Sequence, residues 1–126
     1  MSALVTFATP LAGLESLAEY ELAPVPGSVG LFALRSTEAA GLRLFLLDAA
    51  VHLPTYQPEI NNEQRDSLGL VSAADAAVYV VVNPAKPEMT VNLVAPIVVN
   101  VRTGVAAQFI LDGDDWPLRA PLVPAE

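Results

Sequence analysis

The chain has no cysteine and a single histidine, His52. Without thiols it can form no disulfide, and one imidazole cannot anchor a zinc site of the common Cys/His kind. Positive charge is also scarce. Six Lys and Arg against fourteen Asp and Glu leave a formal net charge of -8, a balance that repels phosphate backbones and argues against direct binding to DNA or RNA. The apolar runs, such as Leu44 to Leu47, Ala76 to Val82 and Ile97 to Val99, fall far short of the ~20 residues that a membrane helix needs. Met1 to Pro10 carries no Lys or Arg ahead of its apolar residues, unlike a secretory signal. These absences together predict a cytoplasmic protein with no membrane and no direct nucleic-acid partner.

What is present points to a folded, strand-rich domain. The 126 residues are 53% hydrophobic and 16% charged, which excludes disorder and fits one domain over residues 1-126. Short runs rich in Val, Leu, Ile and Phe recur between Pro, Gly, Asn and Asp, the punctuation of an all-β chain. The predicted strands are Leu4 to Phe7, Ala18 to Leu22, Val29 to Arg35, Arg43 to Leu47, Ala76 to Asn83, Thr90 to Asn100 and Ala106 to Leu111. Eleven prolines work against long helices, because proline lacks the donor that continues the ladder. One short helix is predicted at Asn62 to Leu68, with Asn61 as N-cap, Gln64 three residues on and Gly69 at the left-handed C′ position. A further turn is expected at Ser72 to Asp75. Pro24 to Gly27 reads as a turn, and Val101 to Gly104 as a hairpin with Gly104 at positive φ.

The polar residues do not assemble a catalytic motif. Ser16, Ser28, Ser36, Ser67 and Ser72 lie outside any Gly-x-Ser-x-Gly elbow, and Gly27 and Gly30 build no dinucleotide loop. Asp112-Gly113-Asp114-Asp115 lacks the register and distal Glu of a calcium loop, so it reads as a solvated turn. Glu15 and Asp48 stand as general-base candidates only if a cleft tunes them. The sequence therefore predicts no enzyme and no cofactor. A binding protein is expected, with a small-molecule-binding β-barrel as the alternative.

The segment Met89 to Leu111 is the most informative. Pro96 cannot donate a ladder hydrogen bond, which implies an edge position or a bulge in this strand. Asn92 and Asn100 flank the break, with amides that can either tie down irregular backbone or meet a partner. Leu93, Ile97, Phe109 and Leu111 are the apolar positions assigned to the core.

The run Thr90-Val91-Asn92-Leu93-Val94-Ala95-Pro96-Ile97-Val98-Val99-Asn100, then Gln108-Phe109-Ile110-Leu111 and Trp116-Pro117-Leu118-Arg119, resembles the flagellar assembly factor FliW family. Earlier, Thr6-Phe7, Leu11-Ala12-Gly13-Leu14-Glu15 and Leu34-Arg35-Ser36 also resemble it, so the likeness spans nearly the whole chain. Leu14 stands where the family has an aromatic, Arg35 where it has Gln, and Ala49-Ala50 where it tends to Pro. The resemblance implies a small antiparallel barrel-like domain with one or two short helices and no catalytic role. It also implies binding to the translational regulator CsrA and to flagellin, antagonising CsrA so that flagellin mRNA is translated. Among matched positions, Gly13, Glu15, Ser36, Asn92, Pro96 and Asn100 are the expected partner contacts, with Arg35 at their rim.

Overall fold

A computed structural model of the chain describes residues 3-9, 19-27, 29-38, 42-52, 62-72, 75-83, 90-110 and 120-121. Among the described residues nine strands and two short helices follow in the order β1 (Ala3–Thr9), β2 (Glu19–Pro24), β3 (Leu31–Ser36), β4 (Arg43–Asp48), α1 (Ala49–His52), α2 (Asn62–Leu68), β5 (Ala76–Asn83), β6 (Thr90–Val91), β7 (Ile97–Asn100), β8 (Val105–Gln108) and β9 (Ala120–Pro121). The one-turn helix α1 has no counterpart in the sequence reading. Gly13, Glu15, Asn61, Leu111 and the Asp112 to Asp115 loop lie outside the described residues.

The described strands run β4-β3-β2-β1-β8-β7-β5 and close through a β4–β5 pairing, while β6 and β9 extend from β5. The sequence predicts an antiparallel barrel, and every pair is antiparallel except β1 with β8. That exception is geometric: strands that alternate in direction around a ring of odd number must meet one neighbour in parallel. At this parallel seam Gly104 O accepts the Thr6 N–H at 2.9 Å.

Alternation along the strands sorts the apolar side chains into an inside and an outside. Val5, Phe7, Tyr20, Leu22, Leu34, Leu46, Tyr79, Ile97, Val99 and Ala106 fill the barrel. Phe7 meets Tyr20 edge to face with ring centres 5.3 Å apart, an arrangement that aromatic quadrupoles favour. This packed interior gives the small-molecule reading no support among the described residues. The Tyr20 hydroxyl is buried without a partner among the described residues. Burial, and secondarily the charge of Glu38, raise its pKa above the ordinary tyrosine value.

Two outer clusters cover parts of the barrel wall. Leu47, Ala49, Val80, Val82, Val91 and Leu93 form one, and Leu68, Val98, Ala107 and Phe109 form the other beneath α2. The outer face of β1 and β2 carries exposed Leu4, Thr6, Ala8 and Glu19.

Helix α2 has the predicted bounds, and Gly69 adopts φ 67° just beyond it. The Leu70 N–H bonds to Arg65 O and the Gly69 N–H to Asp66 O, each at 3.1 Å, the two bonds of a Schellman cap. The turn expected at Ser72 to Asp75 is closed by the Asp75 N–H on Ser72 O at 3.0 Å.

Candidate functional site

The predicted strand Thr90 to Asn100 is two strands, β6 and β7, separated by the proline break. Val82 of β5 faces Val91, and Tyr79 faces Ile97. Three steps along β5 are thus matched by six on the facing chain, so three residues are extruded as a bulge. Of the two placements open to Pro96, the bulge is the one found, and β7 lies between β5 and β8 and not at an edge.

Asn92 builds this bulge. Its N–H bonds to Val81 O at 3.0 Å, the last tie to β5 before the chain departs. Its Oδ1 then accepts the Val94 N–H at 3.0 Å and the Ala95 N–H at 3.2 Å. Two backbone donors on one side-chain atom identify that atom as the oxygen. On the far side, Gln108 Nε2 donates to Ala95 O at 3.2 Å, and the Phe109 N–H donates to Pro96 O at 3.1 Å. Proline suits its position because the bulge asks no ladder donor of it, and its side chain is buried.

Asn92→Ala removes the acceptor for two backbone N–H groups. Its expected cost is about 1–2 kcal/mol, read as a lower urea midpoint with unchanged m-value. A stability equal to that of the unsubstituted chain would refute this role.

Asn100 is 1% exposed. Its Nδ2 donates to Leu68 O at 2.8 Å and Gly69 O at 3.4 Å, and its Oδ1 accepts the Arg102 N–H at 2.9 Å. One amide therefore joins the end of α2 to the β7–β8 turn. The FliW resemblance implies partner contacts at Asn100 and Pro96, yet neither side chain reaches the surface. Leu93, Ile97 and Phe109 are buried as expected.

Arg35 and Ser36 end β3. Arg35 is exposed and faces Glu21 on β2 and Arg43 on β4. Ser36 is half-buried, and its Oγ accepts the Glu38 N–H at 3.0 Å. Arg35, Ser36, Leu42 and Arg43 line an open groove of about 360 Å³. Nothing in the sequence reading singled out Leu42 or Arg43. Arg43 joins the site only through the antiparallel β3–β4 register, which sets it directly opposite Arg35 and which no local pattern records. Asp48, the general-base candidate, ends β4 opposite Tyr79. Among the described residues no group of three His, Cys, Asp or Glu is placed to hold a metal.

A family model described as FliW protein matches residues 1–122. The chain belongs to the FliW family. Among curated relatives it is similar to the flagellar assembly factor FliW of Clostridium kluyveri, 27% identical over 98% of this chain and 86% of the relative. It is also similar to that of Anoxybacillus flavithermus, 29% identical over 97% of this chain and 85% of the relative. A crystal structure of the flagellar assembly factor FliW superposes with a TM-score of 0.88 at 26% identity, covering 98% of this chain and 87% of that one. The Asn-Leu-x-Ala-Pro-Ile run behind the FliW resemblance is, in atomic terms, the device that extrudes and pins the bulge.

Proposed function

We propose that this chain is a cytoplasmic flagellar assembly factor that works by binding proteins and performs no catalysis. Its partners are a CsrA-type translational regulator and flagellin, and its binding antagonises the regulator so that flagellin mRNA is translated. Membership of the FliW family over residues 1–122 is the observation that carries this reading. Among the described residues no helix is long and apolar enough to cross a membrane.

Charge supplies a physical route. A chain of net charge -8 attracts a basic RNA-binding protein, and an acidic body docked beside an RNA face disfavours phosphate there. Of the positions chosen from the sequence, Arg35, Ser36 and Asn92 retain surface, and Gly13 and Glu15 complete the proposed contact set. The Asn92 amide nitrogen has no protein partner among the described residues, so the side chain that pins the bulge can still donate outward.

The direct test mixes the purified chain with a purified CsrA-type regulator, adds flagellin and follows the complexes by size-exclusion chromatography. A complex with the regulator that flagellin displaces is expected. Failure to form either complex at micromolar concentration would overturn the proposal. Association with the regulator should slow by about tenfold or more between 10 mM and 150 mM salt, as the Debye length falls from ~30 to ~8 Å. The off-rate should change little. On-rates independent of salt would remove electrostatic steering from the account.

A further inference from the structure

In this acidic chain, two of the six basic residues are held against each other. Arg35 on β3 faces Arg43 on β4 in the antiparallel register. Like charges directly opposite on neighbouring strands destabilise a sheet, so folding alone gives no reason for the pairing. Neither guanidinium is in an ion pair among the described residues, where Arg102 with Asp75, at 3.6 Å, is the pair found. Glu21 faces Arg35 from β2, and the ion pairs among the described residues do not include the two together. Nearby, Glu19 is occupied by Thr37, whose hydroxyl donates to Glu19 Oε1 at 2.9 Å.

Arg43 is also oriented. Its guanidinium carbon lies 4.9 Å from the centre of the Phe45 ring, two residues along on the same outer face. Stacking of this kind holds the planar group flat and leaves its N–H edge free for a ligand. With Ser36 and Leu42 the two arginines line the open groove of about 360 Å³. The groove thus combines two exposed guanidinium forks, one already steadied by a ring, with the apolar side chain of Leu42, which packs against the barrel core.

We propose that the Arg35–Arg43 groove is a docking site for the side-chain carboxylates of an acidic segment in a partner protein. Guanidinium and carboxylate match edge to edge through two parallel N–H···O bonds, and two adjacent forks favour a segment with at least two such groups. A polyphosphate chain is disfavoured, because the net charge of -8 repels an extended polyanion while a short peptide places only a few charges inside the positive patch. The acidic remainder of the surface and this cationic groove then serve partners of opposite charge. The inference does not depend on the identity of the partners proposed above.

The test uses the full chain and a fluorescein-labelled peptide with three glutamates set in glycine and serine, followed by anisotropy at physiological salt. The matching peptide with glutamine in place of glutamate is the comparison. The Glu peptide should bind at least tenfold more tightly than the Gln peptide. Arg35→Gln and Arg43→Gln should each weaken it about tenfold, and Arg43→Lys should weaken it less, since charge is kept while the flat fork is lost. Arg65→Gln, an equal change of charge on α2, should leave binding unaltered. Thermal midpoints of the Arg35 and Arg43 variants should hold or rise, because a like-charge contact is relieved. The proposal is overturned if the two peptides bind alike, if no binding appears up to millimolar peptide, if neither groove substitution weakens binding, or if Arg65→Gln weakens it equally.

Discussion

Replacing Asn100 with alanine should lower the thermal midpoint by about 10 °C or more, the largest of the stability losses expected here. The side chain is 1% exposed and uses both ends of its amide inside the protein. Truncation strips Leu68 O and Gly69 O of their side-chain donor and leaves a void that no backbone group can fill. It also frees the Arg102 N–H, but that group sits in an exposed turn where water can replace the lost acceptor. An unsatisfied buried polar group costs about 1–3 kcal/mol and the void adds to this, for a total of about 3–4 kcal/mol. In a domain of this size that loss corresponds to a shift of about 10–15 °C. The damage should be local at first. Asn100 links α2 to the barrel, and α2 covers Val98, Ala107 and Phe109 through Leu68. Hydrogen exchange in α2 should accelerate before exchange in β2 or β3 does. Asn100→Leu, which keeps the volume but not the donors, should recover little stability. A midpoint within about 3 °C of the unsubstituted chain would show that the amide is dispensable.

Asn100 also marks the boundary between what could be read from the sequence and what could not. The helix over Asn62–Leu68, its glycine stop at Gly69 and the positive φ of Gly104 depend on residues adjacent in the chain, and each was legible. Strand β5 was legible for the same reason, as a continuous apolar run between breakers. The proline at position 96 announced an edge or a bulge, but the choice between them and the size of the bulge depend on registers with β5 that no local pattern records. The parallel β1–β8 seam follows from the number of strands in the ring, a global property. The amides of Asn92 and Asn100 look alike in the sequence. Only packing decides that the first sits at a half-buried bulge and the second beneath a helix end. The candidate site was legible in part: Arg35 and Ser36 were chosen by resemblance, whereas Arg43 joins them through a cross-strand register. Its ring contact with Phe45 follows from the alternation of β4 alone, which sets residues two apart on one face.

Gly104→Ala is the second substitution with a large expected effect. Gly104 adopts φ 80°, a conformation that costs a side chain about 1–2 kcal/mol. A Cβ there would also stand 2.8 Å from Leu4 O, a backbone atom that cannot rotate aside. Relief requires β1 to move away from the turn, and β1 is held there by the Thr6 N–H on Gly104 O at 2.9 Å. The clash therefore falls on the parallel β1–β8 seam of the barrel. Dihedral strain and displacement together should cost about 3 kcal/mol, lowering the urea midpoint with little change in m-value. Gly27→Ala separates the two contributions. Gly27 has φ 82° but nothing within 4 Å of its virtual Cβ, so that substitution should cost about 1–2 kcal/mol from dihedral strain alone. If both variants lose the same stability, contact with Leu4 contributes nothing and the seam tolerates the added carbon. If Gly104→Ala loses clearly more, and exchange protection falls along β1 and β8 before it falls along β3 and β4, the seam is where the barrel opens first.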